Sequence, residues 1–454
     1  MGKFVKFALA AALAGAAAAQ PPMVRLNVDA FDGHGQPIGD LTKADFQLQD
    51  AGKDQAIAFF HAAARTPGVF SHATVVLFDL LNADITNRAF SSDEIVHSLQ
   101  PRETSDFLYF YLLTPDIKLQ PVHPLPNSVA DVRPADTPWT KNIRPLLDDA
   151  LKNANRLRQS GLIEDDRVRR TYEALTQVVS TIAMIPGRKN IVWISRGIPI
   201  SLRLASGGEE IDYKPLVRKF AEACAQAKVT VYTVNPSTSA VPSASDLASV
   251  ETLQQISNFT GGRLFTSNSI GKAVAQAADA WRGNYTIGYY PAADNWDGKL
   301  HKVKVSSGRR GMDLLFPEGY YADRPDATAA MRGALQAAVS SPFDSPEMRV
   351  RVTDTKGHLQ IRVDYADALV TEKDGHFTAS LVMTVVDYTA KGPKSIAPPA
   401  AMNVSMTEEQ RAAAMKDGIL LTQDHPAAEG IERLRVIVYD PATNLVGSMM
   451  VPVG

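Results

Sequence analysis

The segment 74–81, TVVLFDLL, is a continuous apolar run interrupted by a single carboxylate. A strand with one exposed face alternates apolar and polar residues, whereas a parallel strand covered on both faces does not. Similar short runs follow at 106–113, 190–195 and 229–236, separated by stretches with helical periodicity. Strands that alternate with helices predict βαβ crossovers and a mostly parallel sheet.

The segments on either side of this region have a different pattern. Between Val24 and Phe60, and again after Gly283, apolar and polar residues alternate and turn residues recur. This pattern predicts short antiparallel strands, with one hairpin turning at Ala51 and Gly52. Each segment is small, and the sequence leaves open whether the two form one β layer or two.

The region after residue 341 again has short strands without helices between them, which is typical of a β-sandwich. Its insert 407–418 is predicted to be a helix with a capping box formed by Thr407 and Gln410. The predicted fold class is α/β, with a mostly parallel, doubly wound, Rossmann-like sheet flanked by β-rich segments and followed by a C-terminal β-sandwich. The predicted units are a signal peptide at 1–19, an N-terminal β segment at 20–66, an α/β domain at 67–283, a second β segment at 284–325, a linker at 326–341 and the sandwich at 342–454.

The first residues have the pattern of a secretory signal peptide. Lys3 and Lys6 precede an alanine-rich apolar run that ends in small residues, and cleavage is expected between Ala19 and Gln20. No later stretch reaches about eighteen uninterrupted apolar residues, so no transmembrane segment is predicted in the mature chain. The sequence thus predicts export to the periplasm or the cell exterior.

Charge and motif content exclude several classes of function. The 47 basic and 49 acidic residues give a net charge of −2. The sequence has no cluster of basic residues with aromatic residues between them, so nucleic acid is not an expected partner. The usual nucleophile, zinc and phosphate-loop motifs are absent from the sequence, which predicts neither an enzyme nor a cofactor. The single cysteine, Cys224, lies in a helical pattern and is interpreted as a core residue.

Several long phrases in combination resemble one family, the acidobacterial von Willebrand factor A-related domain proteins. The similarity covers about residues 24 to 325. The resemblance implies an exported protein with a von Willebrand factor A-like domain, and it implies no defined biochemical role. The phrases that carry it are GQPIGDLTKADFQLQDAGKDQAI (35–57), VVLFDLLN (75–82), IPGRKNIVWISRGIP (185–199), TGGRLF (260–265), NYTIGYYPAADNWDGKLHKVKV (284–305) and PEGYYA (317–322).

The resemblance also implies where a metal site would lie. Metal-binding A domains carry Asp-x-Ser-x-Ser after the first strand, and the oxygens of that loop hold a divalent cation. Here Asp79 is present, but Leu81 and Ala83 occupy the serine positions, and Arg196 stands where a later loop normally carries an aspartate. Since neither Leu81 nor Ala83 can bind a cation, the resemblance implies a degenerate site without metal.

Alternatives remain for the polar residues near this position. Asp79, Asn82, Asp84 and Thr86 could form a rearranged metal site, although the known preferences of Asn82 and Asp84 favour turn and helix N-cap positions. Arg196 could pair with Asp79 at the carboxyl ends of neighbouring strands, or it could be solvated in its loop. Without a metal, Asp79 is expected to accept hydrogen bonds from loop amides.

The leading hypothesis is an interaction or adhesion protein of the cell envelope that contacts an unknown protein partner without a bridging metal. Loops on a rigid sheet are the usual place for such contacts, here 79–88, 114–142 and 195–212. One alternative is a structural envelope scaffold with the C-terminal sandwich as its docking module, and a remote one is a hydrolase with an unrecognised site. The candidate partner-binding residues are Asn82, Asp84, Thr86, Ser195 and Arg196.

Overall fold

The computed structural model of the 454-residue chain describes most of its length. The described residues are 22–62, 72–82, 93–103, 107–116, 118–126, 139–157, 164–203, 210–236, 244–266, 269–292 and 295–453. The predicted signal peptide therefore lies outside them, as do Ala83, Asp84 and Thr86.

Strands and helices of the first 321 residues build an α/β unit and a β layer. The strands are β1 (Val24–Asp32), β2 (Phe46–Asp50), β3 (Lys53–Gln55), β4 (Phe59–Ala62), β5 (His72–Asp79), β6 (Leu108–Leu113), β7 (Leu119–His123), β8 (Arg188–Ile194), β9 (Ser201–Arg203), β10 (Glu210–Asp212), β11 (Val229–Asn235), β12 (Leu264–Thr266), β13 (Asn284–Tyr289), β14 (Leu300–Ser307), β15 (Met312–Leu315) and β16 (Gly319–Tyr321). The helices are α1 (Thr140–Leu157), α2 (Glu164–Ile182), α3 (Lys214–Ala227), α4 (Ala244–Thr260) and α5 (Ile270–Asp279), and residues 93–99 are also helical.

The remaining residues form a C-terminal β unit with two helices. They are α6 (Ala327–Ser340), β17 (Val350–Thr355), β18 (His358–Val363), β19 (Thr371–Lys373), β20 (His376–Thr389), β21 (Gly392–Ile396), β22 (Ala400–Met406), α7 (Glu408–Asp417), β23 (Ile419–Asp424), β24 (Arg433–Asp440) and β25 (Leu445–Pro452). In the described part of the chain, no helix has both the length and the apolar character that a membrane span requires.

One sheet has six strands in the order β12-β11-β8-β5-β6-β7. All neighbours in it are parallel except β6 and β7, which are antiparallel. Val75 and Leu77 of β5 pack in an apolar core with α2 and α3, whereas Val76 and Phe78 pack in a second core with α5 and residues 93–99. Burial on both faces explains the unbroken apolar run, because each such side chain contributes about 1.5–3 kcal/mol on leaving water.

The predicted fold class is wrong for the chain as a whole. Of the described residues, 41% are in strands and 32% in helices, and five of the six sheets that they form are antiparallel, so β structure predominates over a doubly wound parallel fold. The one sheet with parallel strands is mixed, because β7 joins it in the antiparallel direction. The error arose because each continuous apolar run gives a strong local signal, whereas each of the short alternating strands, which are the majority of the strands, gives a weak one.

The β segments before and after the α/β region pair with each other. Strand β1 pairs antiparallel with β13, in the register Val24 to Tyr289, and with β15 on its other side. Strand β14 pairs with β2 in a second four-stranded sheet. The two sheets enclose one apolar core, so residues that are remote in sequence form a single two-sheet unit, called the β layer below.

Local turn chemistry agrees with two of the predictions. Strands β2 and β3 form the expected hairpin, in which Ala51 and Gly52 take φ values of 47° and 80°. Helix α7 begins with the expected capping box, since the Thr407 hydroxyl accepts from the Gln410 amide and the Gln410 side chain accepts from the Thr407 amide. The structure confirms both predictions. Each feature depends on a few adjacent residues only, which is why the sequence sufficed to predict it.

The predicted linker at 326–341 is instead occupied by helix α6. Leu335, Ala338 and Val339 are buried against the C-terminal sheet that contains β20 and β24. The segment is rich in alanine, which has the highest helix propensity. The polar composition that suggested a linker belongs to the exposed side of this helix.

The C-terminal unit is joined to the β layer by a buried carboxylate. Asp367 is fully buried and accepts hydrogen bonds from the Arg349 amide at 2.7 Å and the Arg349 Nε at 2.9 Å, while His61 Nε2 of β4 lies 3.2 Å from its other oxygen. Burial alone would raise the pKa of Asp367, but hydrogen bonds and charge from His61 and Arg349 lower it to about 2.

Stability in acid should depend on Asp367. Because its pKa is depressed in the folded state, its contribution is present above the ordinary pKa of 3.8 and is lost as the pH falls through about 2. The shift corresponds to about 2 kcal/mol. Asp367→Asn should therefore lower stability at pH 7 by about this amount and flatten the loss between pH 4 and 2, as measured by urea unfolding. A parallel pH profile for the two proteins would contradict this assignment.

Candidate functional site

Asp79 ends strand β5 at the carboxyl edge of the six-stranded sheet and is fully buried. It accepts hydrogen bonds from the Asn82 amide at 3.0 Å, Asn82 Nδ2 at 2.8 Å, Trp193 Nε1 at 3.2 Å and Ser195 Oγ at 2.8 Å. All of these donors are neutral. Burial raises the pKa of Asp79, and the hydrogen bonds from Asn82, Ser195 and Trp193 offset only part of that rise.

Asn82 connects this carboxylate to helix α2. Its Nδ2 also donates to Thr171 Oγ1 at 3.0 Å, and its Oδ1 accepts from the Arg167 guanidinium at 3.3 Å. Arg167 in turn pairs with Glu164 at 3.0 Å in the first turn of the helix. The loop after β5 is thus tied to helix α2 by the side-chain amide of Asn82, a long-range contact rather than the turn or N-cap role considered from the sequence.

Ser195 fixes the neighbouring loop after β8. Its hydroxyl donates to Asp79 and accepts from the Gly197 amide at 3.0 Å. Gly197 has a φ of 90°, and a Cβ there would lie 2.5 Å from the Ser249 carbonyl oxygen, so no larger residue fits without a backbone shift. Two loops from adjacent strands are therefore held on one carboxylate.

Arg196 lies between these residues and is half-buried. Within the described residues, the donors on Asp79 are Asn82, Trp193 and Ser195, so this carboxylate is held by neutral groups rather than by the arginine considered from the sequence.

The oxygens of Asp79 are engaged by donors of the protein itself, which differs from a carboxylate arranged to hold a cation. Leu81, at one of the two positions where the resemblance implies a serine, is buried with 9% of its surface exposed. Of the rearranged set considered from the sequence, Asp79 and Asn82 are hydrogen-bonded to each other, while Asp84 and Thr86 are outside the described residues, as is Ala83. Among the residues that the structure describes, no three His, Cys, Asp or Glu side chains are grouped as a metal would require.

Three residues of this network were not singled out from the sequence. Trp193 sits within an apolar strand, and Thr171 and Arg167 lie inside helix α2. None belongs to a recognisable motif. Thr171 carries the one usable signal, because a hydroxyl residue on the buried face of an amphipathic helix needs a partner there.

The Ser195 hydroxyl should contribute measurably to the stability of this site. Ser195→Ala removes a donor to Asp79 and the acceptor for the Gly197 amide, so we expect the free energy of unfolding to fall by about 1–3 kcal/mol. Ser180→Ala on α2 is the matched control, because that exposed hydroxyl bonds only to a helix carbonyl. Equal unfolding midpoints for the two variants would show that the Ser195 bonds carry no net stability.

The chain was compared with protein families, curated proteins and solved structures. No family model matches the chain, and neither does any curated protein. Among solved structures, the pilus adhesin SpaC from Lactobacillus rhamnosus GG in its open conformation is similar at a TM-score of 0.30 and 8% identity, over 92% of this chain and 57% of that one. The human COPII-coat protein Sec24c is similar at a TM-score of 0.26 and 10% identity, over 85% of this chain and 44% of that one. The chain thus spans less than two thirds of either protein, and at these scores neither likeness supports an argument; the family resemblance stays a prediction.

Proposed function

We propose that this chain is an exported binding protein, without catalytic activity, that contacts a protein partner through the loops at the carboxyl edge of the six-stranded sheet. One observation carries the proposal: the buried Asp79 holds the loops after β5 and β8 together through neutral donors of the protein itself. Binding at this edge needs no bridging cation, because the loops already have their shape. The pattern of residues 1–19 supports the exported part of the proposal.

The hairpin of β9 and β10 supports the location of the contact. It follows the Ser195 loop directly, and its strands pair in the register Ser201 to Asp212. Glu210 and Asp212 are exposed there, and half-buried Arg196 lies at the start of the same segment. Charged side chains beside a rigid loop govern which partners can approach, because like charges repel wrong partners and opposite charges steer the right one.

The proposal is tested by capture of a partner from cell-envelope extract in the presence of EDTA or of Mg²⁺. A protein with both Glu210→Lys and Asp212→Lys should lose the partner, whereas wild type should retain it equally with and without the cation. The control carries Asp374→Lys and Asp417→Lys, two exposed carboxylates of the C-terminal unit. Melting temperatures of both variants should match wild type.

The same measurement separates the two classes of binding protein. If the control loses the partner and the hairpin variant retains it, the C-terminal unit is the docking module and the scaffold alternative is favoured. Capture that requires Mg²⁺ would contradict the metal-free part of the proposal.

A further inference from the structure

A cavity of about 160 Å³ lies at the amino edge of the six-stranded sheet, remote from Asp79. Three parts of the fold enclose it: the β layer, the start of β8 with the end of α3, and the C-terminal unit. Cationic side chains come from each of the first two parts, namely Arg25 of β1, Arg188 of β8 and Lys228 after α3. The C-terminal unit contributes Glu347 and Asn444.

Two of the cations have carboxylate partners. Arg188 pairs with Asp29, and Lys228 Nζ lies 2.5 Å from Glu347. Arg25 differs, because the hydrogen bond described for it goes to the carbonyl oxygen of Thr443. A guanidinium has five N–H donors, and one neutral acceptor leaves most of them and the whole charge uncompensated by direct contact.

Two buried polar atoms at this cavity have no hydrogen-bond partner among the described residues. One is Arg188 Nε, whose side chain is only 8% exposed, and the other is Asn444 Oδ1. Buried donors and acceptors are nearly always satisfied in folded proteins, since each unsatisfied one is costly. An unsatisfied donor and an unsatisfied acceptor in two of the residues that line this cavity therefore point to a polar ligand beside them.

The other charged groups described nearby make no direct contact with Arg25. The charge of Asp440 acts on Arg25 from a distance, but the oxygens of Asp440 accept from the backbone amides of Leu369, Ala442 and Thr443. His61 also lines the cavity, and its carboxylate partner Asp367 is already engaged by Arg349. Burial alone would raise the pKa of Glu347, but the charge and hydrogen bond of Lys228 lower it, so this carboxylate is ionised and its close contact is with Lys228.

We propose that this cavity binds a small oxyanion that also carries a hydroxyl group, such as hydrogen phosphate or a 2-hydroxycarboxylate. Arg25 and the free Nε of Arg188 would donate to the anionic oxygens, and Asn444 Oδ1 would accept from the hydroxyl. A cavity of this volume has room for roughly ten water-sized groups, which is enough for either ligand class together with ordered water. The bound ion would join the three parts of the fold.

Calorimetric titration of the full chain with inorganic phosphate and with glycolate, at constant ionic strength set by chloride, tests the site. Binding of phosphate alone would assign an inorganic anion, and binding of glycolate alone a carboxylate; either supports the site. Absence of heat with both anions overturns it.

Variants locate the binding. Arg25→Gln retains a donor for Thr443 but removes the charge, and it should weaken binding at least tenfold. Arg310→Gln, at an exposed arginine of the β layer, is the control and should bind as wild type does. Asn444→Gly is a second variant, because glycine readily adopts the φ of 52° found there; it should weaken binding about fivefold. Wild-type affinity in both Arg25→Gln and Asn444→Gly would overturn the proposal, and neither outcome affects the loops at Asp79.

Discussion

Replacing Arg188 by methionine is expected to lower the free energy of unfolding by about 3–5 kcal/mol, because the change leaves a carboxylate buried without its cation. Asp29 is fully buried and accepts from Arg188, from Asn284 Nδ2 at 2.9 Å and from Tyr232 Oη at 3.3 Å. Burial raises the pKa of Asp29, and the charge of Arg188 is the main opposing influence. Chemical unfolding of wild type and Arg188→Met measures the loss.

A second substitution shows whether the uncompensated charge is the cause. Asp29→Asn added to Arg188→Met removes that charge and keeps an acceptor for Asn284 and Tyr232, so it should recover about half of the lost stability. If the double variant is no more stable than Arg188→Met, lost packing rather than lost charge explains the effect.

Lys189→Met, at the next position, is expected to act in the opposite direction and to stabilise the protein by about 3 kcal/mol at pH 6. Lys189 is 4% exposed, and its ammonium donates to the Ile185 carbonyl at 2.9 Å. Burial lowers its pKa to about 7. Below that pH the folded protein contains a buried ammonium with a neutral acceptor, a cost that methionine avoids.

The pH dependence distinguishes this cause from better packing. Between pH 7 and 10.5 the unfolded chain keeps the proton of Lys189 while the folded chain has released it, so wild-type stability should rise with pH across this window. Lys189→Met should remove the rise, whereas Lys302→Met, at an exposed strand position, should keep it. Destabilisation of Lys189→Met at pH 6 would contradict the assignment.

Local signals predicted much of the α/β region and failed for the assembly around it. The strand runs at 190–195 and 229–236 agree with β8 and β11 to within two residues at each end. Strands buried on both faces can be located this well because they are almost entirely apolar. The fold class was wrong because most strands are short and alternating. The pairing of β1 with β13 was left open, since periodicity within a strand carries no information about a partner so far along the chain.

Only part of the candidate site could be predicted, because the sequence shows local patterns and not the contacts between distant segments. Asp79 stands out because a carboxylate inside an apolar run requires an explanation. The alternating polar residues Arg25, Asn27 and Asp29 have the pattern of a solvated strand face. In the structure that face is covered, and Asp29 is fully buried, because the rest of the fold packs over it. Sequence alternation shows which residues share a face but not what that face contacts.

The β layer places a constraint on how the chain is made. Thr286 of β13 donates a hydrogen bond to Asn27 of β1, 259 positions earlier in the sequence. At about 5–20 residues per second of synthesis, the first strands would wait on the order of ten seconds or more for their partners. During that interval the edges of β1 offer unpaired backbone groups to any neighbouring strand. Production of the protein should therefore depend on a chaperone that shields its leading segment until residues beyond 280 have emerged.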